Sequence, residues 1–314
     1  MINSPIIAIP VLLVALFLMI ISARKVIDHS VILAASYKIP ALVIGLVFIS
    51  LGTDLPEIVN SIISSSVGHT DINIGDSVGS VLIQLTLVFG LFILIGGCKK
   101  IKRKEVIVIG SGLLLALFIL YNVLQDGNIT RLNAFTIIVG WFLLTIISVA
   151  TIGKQEKTYQ EYVVPAGKKW KHVLILVLGL IGVGAGSYFT VESTITIART
   201  LRLSEYFISF FLVGLGTSLP ELVVDITAIR NKQYDLAIGD ILGSCLIDAS
   251  LSLAIGPLLF PQKFSITTAQ NSILYTIGVS VIVVFLLALR GKVDRKFGVL
   301  LLIFYLVSFF IIFM

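Results

Sequence analysis

Long apolar runs separated by short polar breaks dominate this sequence. A run of roughly 20 apolar residues is long enough to cross a lipid bilayer as a helix. The pattern predicts ten spanning helices over residues 5–36, 40–66, 72–96, 105–123, 131–152, 171–200, 205–230, 235–259, 268–289 and 297–313. We therefore expect an all-α, polytopic membrane protein of ten transmembrane helices, in which the long first and sixth spans tilt or extend beyond the bilayer.

Composition excludes most soluble proteins. Of the 314 residues, 13% are charged and 57% are hydrophobic, and the mean hydropathy is +1.08. Because soluble domains carry about 25% charged residues, a soluble enzyme or a disordered chain does not fit. Two cysteines do not make a disulfide framework. The net charge of +6 does not indicate nucleic-acid binding, since the basic residues lie in the short loops between spans.

One long polar stretch, residues 153–170, divides the chain into a first five-helix unit (1–152) and a second (171–314). The ten spans place nineteen lysines and arginines on one side of the membrane and four on the other. Basic loops stay cytoplasmic, so we expect the polar stretch to be a cytoplasmic linker and both termini to lie outside the cell membrane.

The two units repeat each other at a constant offset of 164 residues. The block 51–57 (LGTDLPE) matches 215–221 (LGTSLPE), and 75–80 (GDSVGS) matches 239–244 (GDILGS). Because each unit contains five spans, an odd number, the second copy must enter the membrane from the opposite face. The sequence therefore predicts an inverted repeat, an architecture of transporters that bind their substrate near the midplane.

Carboxylates lie inside the predicted spans, where each costs about 2.5–3.5 kcal/mol. They are Asp54, Glu57, Asp76, Glu192, Glu221, Asp225, Asp240 and Asp248. The chain has no lysine or arginine between residues 38 and 99, so local salt bridges are scarce. We expect a transported cation or protons to neutralise these side chains.

Each repeat block contains a proline that breaks its helix. Pro56 and Pro220 have no N–H to donate to the carbonyls four residues earlier, those of Gly52 and Gly216. A spacing of four also puts a threonine and a glutamate on one helix face, Thr53 with Glu57 and Thr217 with Glu221. Carboxylates, hydroxyls and free carbonyls make an all-oxygen site, which suits a hard cation such as Ca²⁺. No Cys/His cluster favours zinc or copper.

Spans 3 and 8 carry a second polar stripe at a spacing of four. It consists of Asp76, Ser80 and Gln84 in the first unit and of Asp240, Ser244 and Asp248 in the second. The glycines beside it (75, 79, 239 and 243) are typical of faces where helices approach closely. The two interpretations are compatible, because close approach would bring both serines towards the glutamates.

These paired motifs resemble the alpha-repeats of the Ca²⁺/cation antiporter superfamily, which contains sodium/calcium and proton/calcium exchangers. The resemblance covers spans 1–3 and 6–8. It implies that Glu57 and Glu221 are the central Ca²⁺ ligands and that spans 1 and 6 slide as a gate. It also implies supporting roles for Thr53, Thr217, Ser80, Ser244, Gln84 and Asp248.

Departures from the sodium-coupled pattern bear on the exchanged ion. Sodium-coupled members commonly have serine where this chain has Asp54, and asparagine where it has Asp76, Asp240 and Gln84. Acids in place of neutral ligands favour protons, so we expect a secondary transporter, not an enzyme, that exchanges Ca²⁺ for H⁺. In this interpretation Ca²⁺ and protons compete for the paired glutamates, and no cofactor is bound permanently. A Na⁺/Ca²⁺ exchanger is the alternative.

Several assignments stay open. Asp54 could cap the broken helix or face a water path, and Ser218 at the equivalent position weakens a strict need for an acid there. Asp76 and Asp240 could bind neighbouring helices. Asp225 could line an access path or pair with Arg230. An intramembrane aspartyl protease would leave the repeat unexplained, and a passive channel would not place its site between inverted repeats.

Overall fold

The computed structural model describes residues 5–36, 50–97, 99–152, 169–230, 234–264 and 266–313. The helices are α1 (Pro5–Ser36), α2 (Ser50–Thr53), α3 (Leu55–Ser66), α4 (70–96), α5 (Arg103–Leu124), α6 (Arg131–Ile152), α7 (Lys169–Leu201), α8 (205–217), α9 (Leu219–Arg230), α10 (234–259), α11 (Ile266–Arg290) and α12 (Arg295–Phe313). The strands are β1 (Lys99–Lys100), β2 (Asn128–Ile129), β3 (Gln262–Lys263) and β4 (Lys292–Val293).

Within these residues, nine helical segments are long and apolar enough to cross a membrane. Within the described residues, the helices that contain these segments agree with nine of the ten predicted spans to within two residues at each end. The remaining predicted span, 40–66, begins outside the described residues, and its described part is α2 and α3. The predicted linker, 153–170, also lies outside them except for its last two residues, which begin α7.

Strand pairing shows that the second repeat is inverted. At the repeat offset β1 corresponds to β3, and β2 corresponds to β4. Yet β1 pairs with β4, and β2 pairs with β3, both antiparallel. Each strand thus pairs with the strand of the other repeat that is not its equivalent. The two strand pairs lie at opposite ends of the helices. This exchange is what two copies of one unit give when one copy is turned over.

Two helices break where the prolines predicted. Between α2 and α3 the backbone leaves helical geometry at Asp54 (φ −75°, ψ 3°), and between α8 and α9 it does so at Ser218 (φ −79°, ψ 4°). Pro56 and Pro220 are the second residues of the helices that follow. Their rings cannot donate to the preceding turn, so each helix restarts there.

Burial separates a central group of helices from a lipid-facing shell. Of the apolar windows in α4 and α10, 78% and 83% of the residues are buried, against 17% in α6. Both central helices contain a π-helical turn, at Gln84–Val88 and Asp248–Ser252, which are equivalent positions of the repeat. The α3–α4 and α9–α10 pairs meet in the middle of this group, while α1 packs along α7 at its side. The repeat blocks are therefore held by the most buried part of the protein.

Asp294 caps the N-terminus of α12, and Asp294→Ala is expected to lower the stability by about 1 kcal/mol. Its carboxylate accepts the Phe297 N–H at 2.9 Å and pairs with Arg290. The Phe297 hydrogen bond holds the pKa of Asp294 below its usual value of 3.8. The stabilisation is therefore full above that value and is lost as the pH falls through the folded-state pKa. In detergent, the midpoint of thermal unfolding should be lower for Asp294→Ala than for the unchanged protein at pH 7. This difference should narrow towards pH 3. Asp126→Ala, at an exposed position, is the control; an equal deficit in both variants would contradict the assignment.

Candidate functional site

Three carboxylates meet where the two broken helices restart. Asp54 and Glu57 lie at the start of α3, and Glu221 lies at the start of α9. One oxygen from each lies within 4.8 Å of the other two, and each side chain is at most 1% exposed. The repeat therefore brings together its two glutamates as predicted. It adds Asp54 to them as a third acid, which we had assigned to the surrounding pathway.

No basic side chain neutralises this cluster among the described residues. Every side-chain oxygen of Asp54, Glu57 and Glu221 is buried and lacks a hydrogen-bond partner. None of the ion pairs found in the described part of the chain involves them. Removing several carboxylates from water without partners is strongly unfavourable. The arrangement can be stable only when cations or protons occupy it.

Neutral oxygens surround the carboxylates. The Thr53 hydroxyl donates to the Ser50 carbonyl at 3.0 Å, and the Thr217 hydroxyl has acceptors in the Val213 carbonyl at 3.1 Å and in Asp76 at 3.0 Å. Because these protons point at protein acceptors, a lone pair on each threonine oxygen stays free for a cation.

The predicted serines and glycines also lie at this level. Ser80 Oγ lies 3.4 Å from Thr217 Oγ1, and Ser244 Oγ is buried without a partner. Gly52 and Gly216 are buried in the short turns before the two breaks. Their carbonyls precede the prolines by four residues, so the prolines leave them without the usual helical donor. The donor set consists of oxygen only, which fits Ca²⁺, with its preference for about six to eight oxygen ligands.

Asp76 organises one side of the site. Its two oxygens accept from Asn60 Nδ2 at 2.5 Å and from Thr217 Oγ1 at 3.0 Å. Asp76 therefore links α3, α4 and α8 and orients a predicted ligand. The sequence analysis missed Asn60, although a buried amide three residues after Glu57 on an apolar helix was a usable signal.

The second repeat has a different network around the equivalent acids. Asp240 accepts from Ser50 at 3.1 Å, and Ser50 is another residue that the sequence analysis missed. Asp248 accepts from Gln84 Nε2 at 3.0 Å, and these two side chains are equivalent positions of the repeat. Cys245 donates to Gln84 Oε1 at 3.3 Å. Gln84 and Asp248 begin the two π-helical turns, so these turns point the pair at each other.

Asp225 and Ser218 are both buried, and their side-chain oxygens have no hydrogen-bond partner among the side chains that the structure describes. Asp225 lies one turn beyond Glu221 on α9. The Arg230 side chain, its predicted alternative partner, lies outside the described residues. Asp225 is thus a further buried acid on the same helix as the central glutamate.

Close helix packing explains the glycines of the first repeat. A Cβ at Gly75 would lie 2.6 Å from the Tyr206 carbonyl, and one at Gly79 would lie 2.2 Å from the Phe210 carbonyl. The packing interpretation is therefore confirmed for α4 against α8. At Gly243 the nearest described atom is Ser50 Oγ, at 3.4 Å.

Comparison with known families gives a match over almost the whole chain. The model of the family described as "Sodium/calcium exchanger protein" matches residues 7–150 and 171–314. The two matched ranges contain one repeat each, and the break between them falls on the predicted linker.

Individual relatives extend over nearly all of the chain. The putative antiporter CaxA of Alkalimonas amylolytica is 29% identical over 295 residues, 90% of each protein. The sodium/calcium exchanger MaX1 of Methanosarcina acetivorans is 24% identical over an alignment of 345 positions, gaps included. This alignment covers 96% of this chain and 97% of that one.

Two solved structures share the fold. The H⁺/Ca²⁺ exchanger CAX has a TM-score of 0.79 at 13% identity, covering 98% of this chain and 86% of that one. The sodium–calcium exchanger NCX_Mj has a TM-score of 0.64 at 24% identity, covering 98% and 99%. The all-α architecture of a polytopic membrane transporter is therefore confirmed.

Proposed function

The chain belongs to the sodium/calcium exchanger protein family, and from this premise we propose that it exchanges Ca²⁺ for H⁺ by alternating access. The observation that supports H⁺ is the third carboxylate of the cluster, Asp54, which joins Glu57 and Glu221. Two carboxylates balance the charge of Ca²⁺, and a third leaves one negative charge in excess. A proton is the smallest ion that removes such an excess in a closed site.

Competition for the same oxygens couples the two ions. Ca²⁺ binds Glu57 and Glu221 in their ionised form, with Thr53, Thr217, Ser80 and Ser244 and the carbonyls of Gly52 and Gly216 supplying neutral oxygens. Protons occupy the carboxylates when Ca²⁺ leaves. An empty, fully ionised site carries the full desolvation penalty of several buried acids. It therefore changes sides only slowly, and exchange becomes obligatory.

The remaining acids provide a path between the site and the two aqueous faces. We assign Asp76, Asp240, Asp248 and Asp225 to it, with Gln84 and Ser218 as neutral members. They are buried and form no ion pair with any side chain that the structure describes, which supports this role, since each can hold a proton or a passing cation. Asp76 and Asp240 also accept hydrogen bonds from neighbouring helices. We therefore assign to both residues a role in positioning these helices as well as in ion transfer.

The charge of the loops supports an orientation. Nineteen of the 23 lysines and arginines fall on the side of the 153–170 linker. The positive-inside rule then puts the linker in the cytoplasm and both termini outside the cell membrane. The partners of the protein are then the two transported ions, Ca²⁺ and H⁺, and the lipid bilayer.

Sodium is the alternative counter-ion, and the neutral oxygens favour it. Hydroxyls such as those of Thr53 and Thr217 and free carbonyls can coordinate Na⁺ without a change in protonation. A Na⁺-coupled exchanger would use Asp54 as a fixed charge instead of a proton carrier.

Flux into proteoliposomes, with the two gradients imposed separately, tests the proposal. We expect an outward proton gradient to drive Ca²⁺ uptake in Na⁺-free buffer, with collapse of the pH gradient by a protonophore stopping it. An outward Na⁺ gradient at equal pH should give only the background uptake of protein-free vesicles. Uptake that needs Na⁺ and ignores the pH gradient would overturn H⁺ coupling and establish the alternative.

A further inference from the structure

Two of the three histidines of the chain meet near the ends of two long helices, α1 and α7. His29, near the C-terminal end of α1, and His172, near the N-terminal end of α7, have their Nδ1 atoms 2.7 Å apart. Their ring centroids are 4.8 Å apart, and both side chains are partly exposed. His29 lies three residues beyond the apolar window Ile6–Val26. The pair therefore lies towards the ends of these helices and takes no part in the carboxylate cluster.

The backbone on both sides holds these rings together. The helices α1 and α7 run antiparallel, and glycines of α7 allow very close contact. A Cβ at Gly182 would lie 2.3 Å from Ser22 Oγ, and one at Gly179 would lie 2.7 Å from Val26 Cγ2. The histidine pair continues this contact line beyond Val26 on α1 and beyond Gly179 on α7. Its approach is set by helix packing and not by mobile loops.

The geometry points to a transition-metal site: we propose that His29 and His172 bind one Zn²⁺-class ion through their two Nδ1 atoms. Metal–nitrogen distances of about 2.1 Å and a tetrahedral angle place two ligand nitrogens about 3.4 Å apart. The two Nδ1 atoms reach that separation by small side-chain rotations. The partly exposed rings leave the other coordination positions to water.

The chemistry of the pair favours an ion of this class. At 2.7 Å one Nδ1 donates to the other, so a single proton occupies the position that a metal would take. Neutral imidazole is the form that binds metals. The carboxylate of Asp28, next to His29, offsets the nearby positive charge of Lys25, while Lys171 lies over the ring of Trp170. Imidazole ligands select zinc, copper and nickel over Ca²⁺.

Equilibrium dialysis of the purified full-length protein against Zn²⁺, with Ca²⁺ in large excess to occupy oxygen sites, measures the proposed site. We expect one Zn²⁺ per chain, and a loss of affinity of at least tenfold in both His29→Asn and His172→Asn. His69→Asn is the matched control, because His69 is the remaining histidine and bonds to Glu205. Its Zn²⁺ affinity should stay within twofold of the unchanged protein.

Cu²⁺ gives a second readout that does not depend on affinity. The electron paramagnetic resonance spectrum of the Cu²⁺-loaded protein should show hyperfine splitting from two imidazole nitrogens. Either variant of the pair should show one. Zn²⁺ affinity unchanged in both pair variants, or lost equally in His69→Asn, would overturn the proposal. A Cu²⁺ spectrum without two nitrogens would do so as well.

Discussion

Glu57→Gln is expected to lower the initial rate of Ca²⁺ exchange at least about 100-fold. Changing a partner of a metal ligand already costs about 10–100-fold in affinity, and Glu57 is proposed as a ligand itself. The substitution keeps the volume of the side chain and removes one negative charge from the carboxylate cluster. Radioactive Ca²⁺ uptake into proteoliposomes measures the rate, and Glu221→Gln should behave alike because it occupies the same place in the other repeat.

The same substitution should raise the thermal stability of the protein in Ca²⁺-free detergent at alkaline pH, where protons no longer neutralise the cluster. Both Glu57 carboxylate oxygens are buried without partners, and a neutral amide costs less to bury than a carboxylate. Opposite signs for transport and stability separate a site residue from a merely structural one. Glu105→Gln is the control, since Glu105 pairs with Lys102 far from the cluster. Full transport in Glu57→Gln would refute its role as a ligand, as would lost transport in Glu105→Gln.

Gly79→Ala is expected to destabilise the protein by about 3 kcal/mol and to abolish transport with it. The added Cβ would lie 2.2 Å from the carbonyl oxygen of Phe210 and 2.9 Å from its Cα. These are backbone atoms, so the clash cannot be relieved by rotating a side chain. The helices α4 and α8 would have to separate, and Thr217 would move away from Asp76.

Gly112→Ala provides the matched comparison for that clash. A Cβ at Gly112 would meet only the Leu144 side chain, at 3.7 Å, which is an ordinary contact. We expect unchanged or slightly higher stability, since alanine favours helices more than glycine does. The thermal midpoint and the size-exclusion profile in detergent measure both variants. Equal stability of the two would show that the α4–α8 contact is looser than the structure has it.

A feature could be predicted from the sequence when it belonged to a long apolar run or when the other repeat contained an equivalent residue. The start of α6 and the end of α4 were predicted to the residue, because long apolar runs border polar loops there. Glu57 and Glu221 were found because the two blocks match at one offset. The membership of Asp54 in the cluster was not predicted, because its counterpart is Ser218 and the symmetry argued against an essential acid.

Other features of the structure correspond to no recognisable pattern in the sequence. The Asn60 amide donates a hydrogen bond to Asp76. The residue equivalent to Asn60 in the second repeat is Val224, so a comparison of the repeats could not identify Asn60 as a site residue. The four strands are two residues long and lie in basic or polar loops, where no alternation can develop. Their pairing arises only because distant helices place these loops side by side. Such contacts depend on the assembled bundle, which a local sequence pattern does not encode.

The crossed strand pairing has a consequence for how the protein is made. During translation β1 leaves the ribosome long before β4, and β2 long before β3, so these two loops of the first repeat have no strand partner until the second repeat is made. A nascent chain that stops after α9 contains neither late strand. Both loop pairings therefore close only after the second half of the chain has been made, so the assembly of the two ends of the bundle is completed from the carboxyl end.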